Sequence, residues 1–158
     1  MANDVRKIPE GFHNLTPHLV VSDAAKAIDF YKQAFGAEEI MRAPDPSGDR
    51  LMHAEMKIGD SMLMLADTYP EFGGQNPEDL GGSPTAINLY CDDVDATVDK
   101  AVAAGATVSM PPADMFWGDR YARVIDPFGH FWAIACHVRD VTPEEMTEGA
   151  KAAFAGEG

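Results

Sequence analysis

Residues 119–137, DRYARVIDPFGHFWAIACH, decide the reading of this chain, because residues 49–67, DRLMHAEMKIGDSMLMLAD, repeat their plan. At an offset of seventy positions Asp49-Arg50 falls on Asp119-Arg120, Gly48 on Gly118 and Gly59 on Gly129. Each copy shows an apolar-rich strand, a turn closed by glycine and a second apolar strand. Upstream, LTPHLVVSDAAKAIDFYKQAF lies on TAINLYCDDVDATVDKAVAAG at the same offset, so that Asp23 meets Asp93 and Ile28 meets Val98. The register reads as continuous from Thr16 to His137, which predicts one supersecondary unit used twice.

The surrounding elements follow the same order in both copies. The first has a strand over 15–21 and a helix capped by Ser22 or Asp23. The apolar face of that helix carries Ile28, Tyr31 and Phe35, and Gly36 closes it. A strand over 38–42, an exposed loop over 43–48 and a hairpin of 51–58 with 61–66 complete the copy. The second has a strand over 86–91, a helix over 94–104, a strand over 107–110, a loop over 111–118 and a hairpin within 121–135. Residues 69–84, rich in glycine and proline, read as a connector or a lid. Thr142-Pro143-Glu144-Glu145 opens a helix reaching Phe154, which Gly149 weakens. The expectation is a single α+β domain, 1–158. It comprises βαβββ modules at about 15–67 and 85–137, a connector at 68–84, a C-terminal helix at 142–154 and an N-terminal arm over 1–14. With one helix per three strands, each module covers one sheet face, and the curved mixed sheets are expected to enclose a cleft.

Length and composition bound the function. A chain of 158 residues, 46% hydrophobic and 24% charged, can bury a real core. No apolar run approaches the roughly 18 residues of a membrane span, and MANDVRKIPEG lacks a signal-peptide core, so a cytoplasmic protein is expected. A formal net charge of −14 disfavours nucleic acid and anionic membranes as partners. Cys91 and Cys136 lie in apolar strands as small hydrophobes.

The doubled βαβββ order, with DFYKQAFGAEE in the first half and DPFGHFW in the second, resembles the vicinal oxygen chelate superfamily. That superfamily includes glyoxalase I, bleomycin-resistance proteins and extradiol dioxygenases. FWGDRYARVIDPFGHFWAIACHVRDVTPEE is similar to its PhnB-like branch, and the resemblance spans residues 16–145. It implies the glyoxalase/bleomycin-resistance fold. Glyoxalase-type members hold a divalent metal with one side chain from the first and one from the last strand of each module. Alignment places those positions at Thr16, Leu63, Ala86 and Ala133. The last three carry no donor atom and a lone hydroxyl is a poor ligand, so neither metal nor cofactor is expected there.

Strand alternation then gives candidate ligand-binding residues. If Thr16 and Ala86 face inward, so do His18 and Asn88, which the repeat pairs. His53 and Glu55 share one face of their strand, while Met52, Ala54, Met56 and Ile58 take the other. Phe131, Ala133 and Ala135 are expected towards the cleft, with Leu63 and Leu65 as apolar walls and Trp132, Ile134 and Cys136 towards the helix. Trp117 should lie near the mouth, and Met64 or Met115 in the lining. Trp117, Arg120, Tyr121 and Arg123 crowd near one hairpin, where an arginine either holds an anionic group or, as Arg120, pairs with Asp119 in the turn. His130 and His137 are expected at the surface or a dimer contact.

The function expected is small-molecule binding, for sequestration or resistance, without the usual metal. The ligand is expected to be aromatic or cationic, and the protein a homodimer. The alternative is a lyase, isomerase or dioxygenase with a displaced site at His18, His53 and Glu55.

Overall fold

Asp23 turns the first strand into the first helix: its carboxylate accepts the Lys26 backbone N–H at 3.0 Å, and Gly36, at φ 64°, closes the helix. Asp93 and Gly105 do the same in the second copy, where the Ala96 N–H lies 3.0 Å from the Asp93 carboxylate. These four residues fix both helices, because each cap satisfies amide or carbonyl groups that a helix end leaves open.

The computed structural model describes residues 5–156; the expected arm over 1–14 lies outside them at residues 1–4. The chain forms two compact units, Met1–Ser83 and Pro84–Gly158. The first contains β1 (His18–Val21), α1 (Ala24–Phe35), β2 (Glu38–Pro44), β3 (Leu51–Ile58) and β4 (Ser61–Asp67). A 3₁₀ turn (Pro70–Phe72) and α2 (Pro77–Leu80) follow. The second contains β5 (Ala86–Tyr90), α3 (Val94–Ala104), β6 (Thr107–Asp114), β7 (Asp119–Ile125), β8 (Phe131–His137) and α4 (Pro143–Phe154). Its sheet, in the order β5-β8-β7-β6, matches the first unit's β1-β4-β3-β2, each with one parallel pair and two antiparallel ones.

In each unit the helix covers one sheet face and forms the core there. Leu19, Val21, Ala54, Met56, Leu63 and Leu65 are buried with Ile28 and Tyr31 of α1. Ala122, Val124, Trp132 and Ile134 are buried with Val94, Val98 and Ala101 of α3. The DPFG turn before β8 is held by one carboxylate. Asp126 accepts the Phe128 and His130 backbone N–H groups at 2.9 and 3.0 Å and the Trp132 indole N–H at 3.0 Å.

Pairing shows that the repeat is not gapless. Across the first sheet Met41, Glu55, Met64 and His18 form one row; across the second, Met110, Arg123, Ala133 and Asn88 do. Matching the rows gives offsets of 70 at β1/β5, 69 at β2/β6 and β4/β8, and 68 at β3/β7. The helix of the second copy is a residue shorter, 11 against 12. Its closing turn is longer: Pro127-Phe128-Gly129 stands where the first copy has Gly59-Asp60.

Expected boundaries also change: β1 begins at His18 rather than at residue 15, so Thr16 lies before the strand. β2 continues through Ala43 and Pro44, into the expected loop. β6 runs through Pro111 and Pro112 to Asp114, with its register shifting between Met110 and Ala113. Both are edge strands, where a proline leaves no ladder bond unmade. The connector is built structure belonging to the first unit. Asn76 forms a capping box with Asp79, and its amide donates to the Thr68 hydroxyl at 2.8 Å. Arg50 bonds Glu71 at 2.8 Å and lies 4.0 Å over the Tyr69 ring.

Candidate functional site

The candidate residues sort by which sheet face they occupy. In the first unit the uncovered face carries His18, His53 and Glu55 together, as expected. Glu55 and His18 lie in the row through Met64, and His53 stands two residues along β3 from Glu55. The His53 Nε2–H donates to Glu55 Oε1 at 3.2 Å, and the His18 and His53 rings meet edge to face at 5.9 Å. Burial first, and then the neighbouring His53, pull the His18 pKa below that of an ordinary histidine. A charged imidazole loses hydration there and gains a like-charged neighbour.

Leu63 and Leu65 are not walls of that face. Leu63 pairs Met56 and Leu65 pairs both Ala54 and Leu19, so they belong to the helix-covered core. The residue that matches Ala133 in the row is Met64. The expectation failed because a strand reverses its side chains at every residue, and the true offset in β4/β8 is 69. Among the described residues no three His, Cys, Asp or Glu side chains form a group able to hold a metal ion.

In the second unit the uncovered face contains three rows. Ile125, Phe131 and Ala86 form the first; Arg123, Ala133 and Asn88 the second; Tyr121, Ala135 and Tyr90 the third. Two alanines of β8 thus lie between larger side chains on β5 and β7. The Arg123 guanidinium lies 5.3 Å from the Phe131 ring centroid. Among the described residues its Nε–H is buried without a hydrogen-bond partner. Trp117 packs edge to face on Tyr121 at 5.4 Å and on Phe116 at 5.1 Å.

Arg120 occupies the other face. It pairs across β7/β8 with Cys136 and donates to Asp95 of α3 at 2.8 Å and to Asp114 at 3.0 Å. Its charge is committed to two carboxylates, neither of them Asp119. Asp119 instead accepts the His137 Nδ1–H at 2.8 Å, while His137 Nε2–H donates to Asp140 at 2.9 Å. Both ring nitrogens act as donors, which favours the imidazolium, and Asp140 and then Asp119 raise the His137 pKa. Of the expected cluster, Arg123 and Tyr121 share this face with Asn88 and Arg120 does not; Tyr90 is the residue that the sequence reading missed. Alternation along β5, counted from Asn88, was the signal.

Residues 11–134 match the Glyoxalase/Bleomycin resistance protein/Dioxygenase superfamily. The chain belongs to that superfamily. It is 49% identical over 135 residues to Uncharacterized protein Mb0911c of Mycobacterium bovis, covering 84% of this chain and 88% of that one. Protein At5g48480 of Arabidopsis thaliana is 32% identical over 127 residues, 75% of this chain and 74% of that one. Its X-ray structure has a TM-score of 0.64 to this one, with 29% identity, over 78% of this chain and 98% of that one. TioX from Micromonospora sp. ML1 follows at TM-score 0.62 and 27% identity, over 80% and 99% of the two chains. A PhnB protein from Bacillus cereus, at 15% identity and TM-score 0.60 over 78% and 99%, shares the fold. The glyoxalase/bleomycin-resistance fold expected from the doubled βαβββ order is therefore borne out.

Proposed function

We propose that this superfamily member binds a small, partly aromatic molecule without a metal, as a sequestration or resistance protein, and that it works as a homodimer. One observation carries the reading: in the second unit the uncovered sheet face sets Asn88, Arg123, Phe131 and Tyr121 around the low methyls of Ala133 and Ala135. Aromatic surface with a few polar groups is the usual lining of a ligand site. The positions that the resemblance assigns to metal ligands are Thr16, Leu63, Ala86 and Ala133, and matching the strand rows puts Met64 in place of Leu63. Two alanines offer no donor atom, so these residues do not fit a metal and no step is drawn through one. The test is an NMR titration of the ¹⁵N-labelled protein with benzamide, benzoate and benzylamine. Backbone shifts in β5, β7 and β8 with at least one probe are expected; no shift with any of the three would sink the reading.

A second reading rests on the His53–Glu55 hydrogen bond and the lowered His18 pKa. A histidine kept neutral at pH 7 can take a proton from a carbon acid, as a lyase or isomerase requires. Turnover of such a substrate that survives His18→Ala unchanged would exclude His18 as that base.

A further inference from the structure

We infer that Arg123 anchors a carboxylate, so that the ligand of the second unit's uncovered face is an aromatic or otherwise planar organic acid. The inference rests on the binding reading above and goes against the cationic ligand that the acidic composition suggests. Three observations carry it.

The first is the state of the arginine. Arg120 and Arg50 each have a carboxylate partner at 2.8 Å. Among the described residues Arg123 has none: its neighbour is the face of Phe131, and its Nε–H is buried and unsatisfied. An unpaired buried N–H is costly, whereas a carboxylate accepts two parallel bonds from a guanidinium.

The second is the space beside it. Arg123 and Asn88 are separated by Ala133 in one row across three strands. Their Cα atoms therefore stand roughly 10 Å apart, two strand spacings of about 4.8 Å. Only a methyl occupies the strand between them. A planar group lying over it has the guanidinium on one side and a carboxamide, both donor and acceptor, on the other.

The third is charge. One guanidinium, with no lysine or second free arginine in the three rows, matches a monoanion; a phosphate dianion would want further donors. Tyr121, with Trp117 packed on its edge at 5.4 Å, supplies the apolar surface for a ring.

The experiment compares benzoate with benzamide and benzylamine, which are of similar size, by NMR on the wild-type chain and Arg123→Gln. Benzoate should bind at least tenfold more tightly than either and shift the Trp117 indole signal, leaving that of Trp132, held by Asp126, in place. Arg123→Gln should lower benzoate affinity at least tenfold and remove the preference. Equal binding of all three probes, or benzoate affinity unchanged in Arg123→Gln, overturns the carboxylate assignment and leaves the binding reading standing. Absence of binding by any probe overturns both. If Arg123→Gln fails to give a folded spectrum, Arg123→Lys keeps the charge without the fork. It should weaken benzoate several-fold, and an unchanged affinity overturns the inference.

Discussion

Asp126 is a single residue on which a whole turn depends. It accepts two backbone N–H groups and the indole of the almost fully buried Trp132. Asp126→Ala should cost about 3 kcal/mol, since several donors lose their acceptor in a buried place. Urea unfolding followed by Trp fluorescence would measure it, and a loss below about 0.5 kcal/mol, the usual size of a neutral surface change, would contradict it. His137 gives a prediction in pH. Its folded pKa is raised by Asp140 and Asp119, so its contribution is full below the unfolded value of about 6.5. That contribution is lost as pH rises through the folded pKa. An NMR titration should find the His137 ring protonated above pH 6.5, and His137→Ala should flatten the fall in stability there.

Among the elements, α4 shows a conflict between local preference and packing. Gly149 sits inside the helix, and a Cβ built there would stand 2.6 Å from Phe116 Cβ. Gly149→Ala would add up to about 1 kcal/mol of helix propensity. The contact is with the root of a side chain, which cannot swing away, so overpacking should win by about 1–2 kcal/mol. Thermal unfolding and hydrogen exchange of the α4 amides would show the sign; a stabilised variant would mean that α4 tilts freely off Phe116. The elements also show what was legible in the chain. Helix α3 was readable to the residue because Asp93 and Gly105 punctuate it. The hairpin positions followed from Gly59 and Gly129. β6 runs into the loop expected over 111–118, because prolines at a sheet edge do not end a strand. In β4, face assignment failed through counting at one fixed offset, which sent Leu63 and Leu65 to the wrong side. His18, His53 and Glu55 came out together because they lie on strands whose alternation was counted locally.

For the whole molecule the formal charge of −14 governs solution behaviour. Surplus like charge repels itself in the compact state, over a Debye length of about 30 Å at 0.01 M salt and about 8 Å at 0.15 M. The urea midpoint at pH 7 should therefore rise between those two salt concentrations. A midpoint that falls would show that the ion pairs outweigh the surplus. Light scattering at tens of micromolar tests the proposed homodimer, and a single monomer mass would count against it.

The uneven offsets between the two halves bear on how such a chain can be lengthened or shortened. A residue lost within a strand turns over every side chain beyond it, exchanging core for surface. The one-residue differences here fall at three places: in the helix, across the connection from the second strand to the third, where the edge pairing shifts register, and in the hairpin turn. Each lies between one regular stretch of ladder and the next. A gene that doubled and then gained or lost single codons would keep both halves foldable only at such joints. The same joints, rather than the strands, are where laboratory deletion scanning should find tolerance.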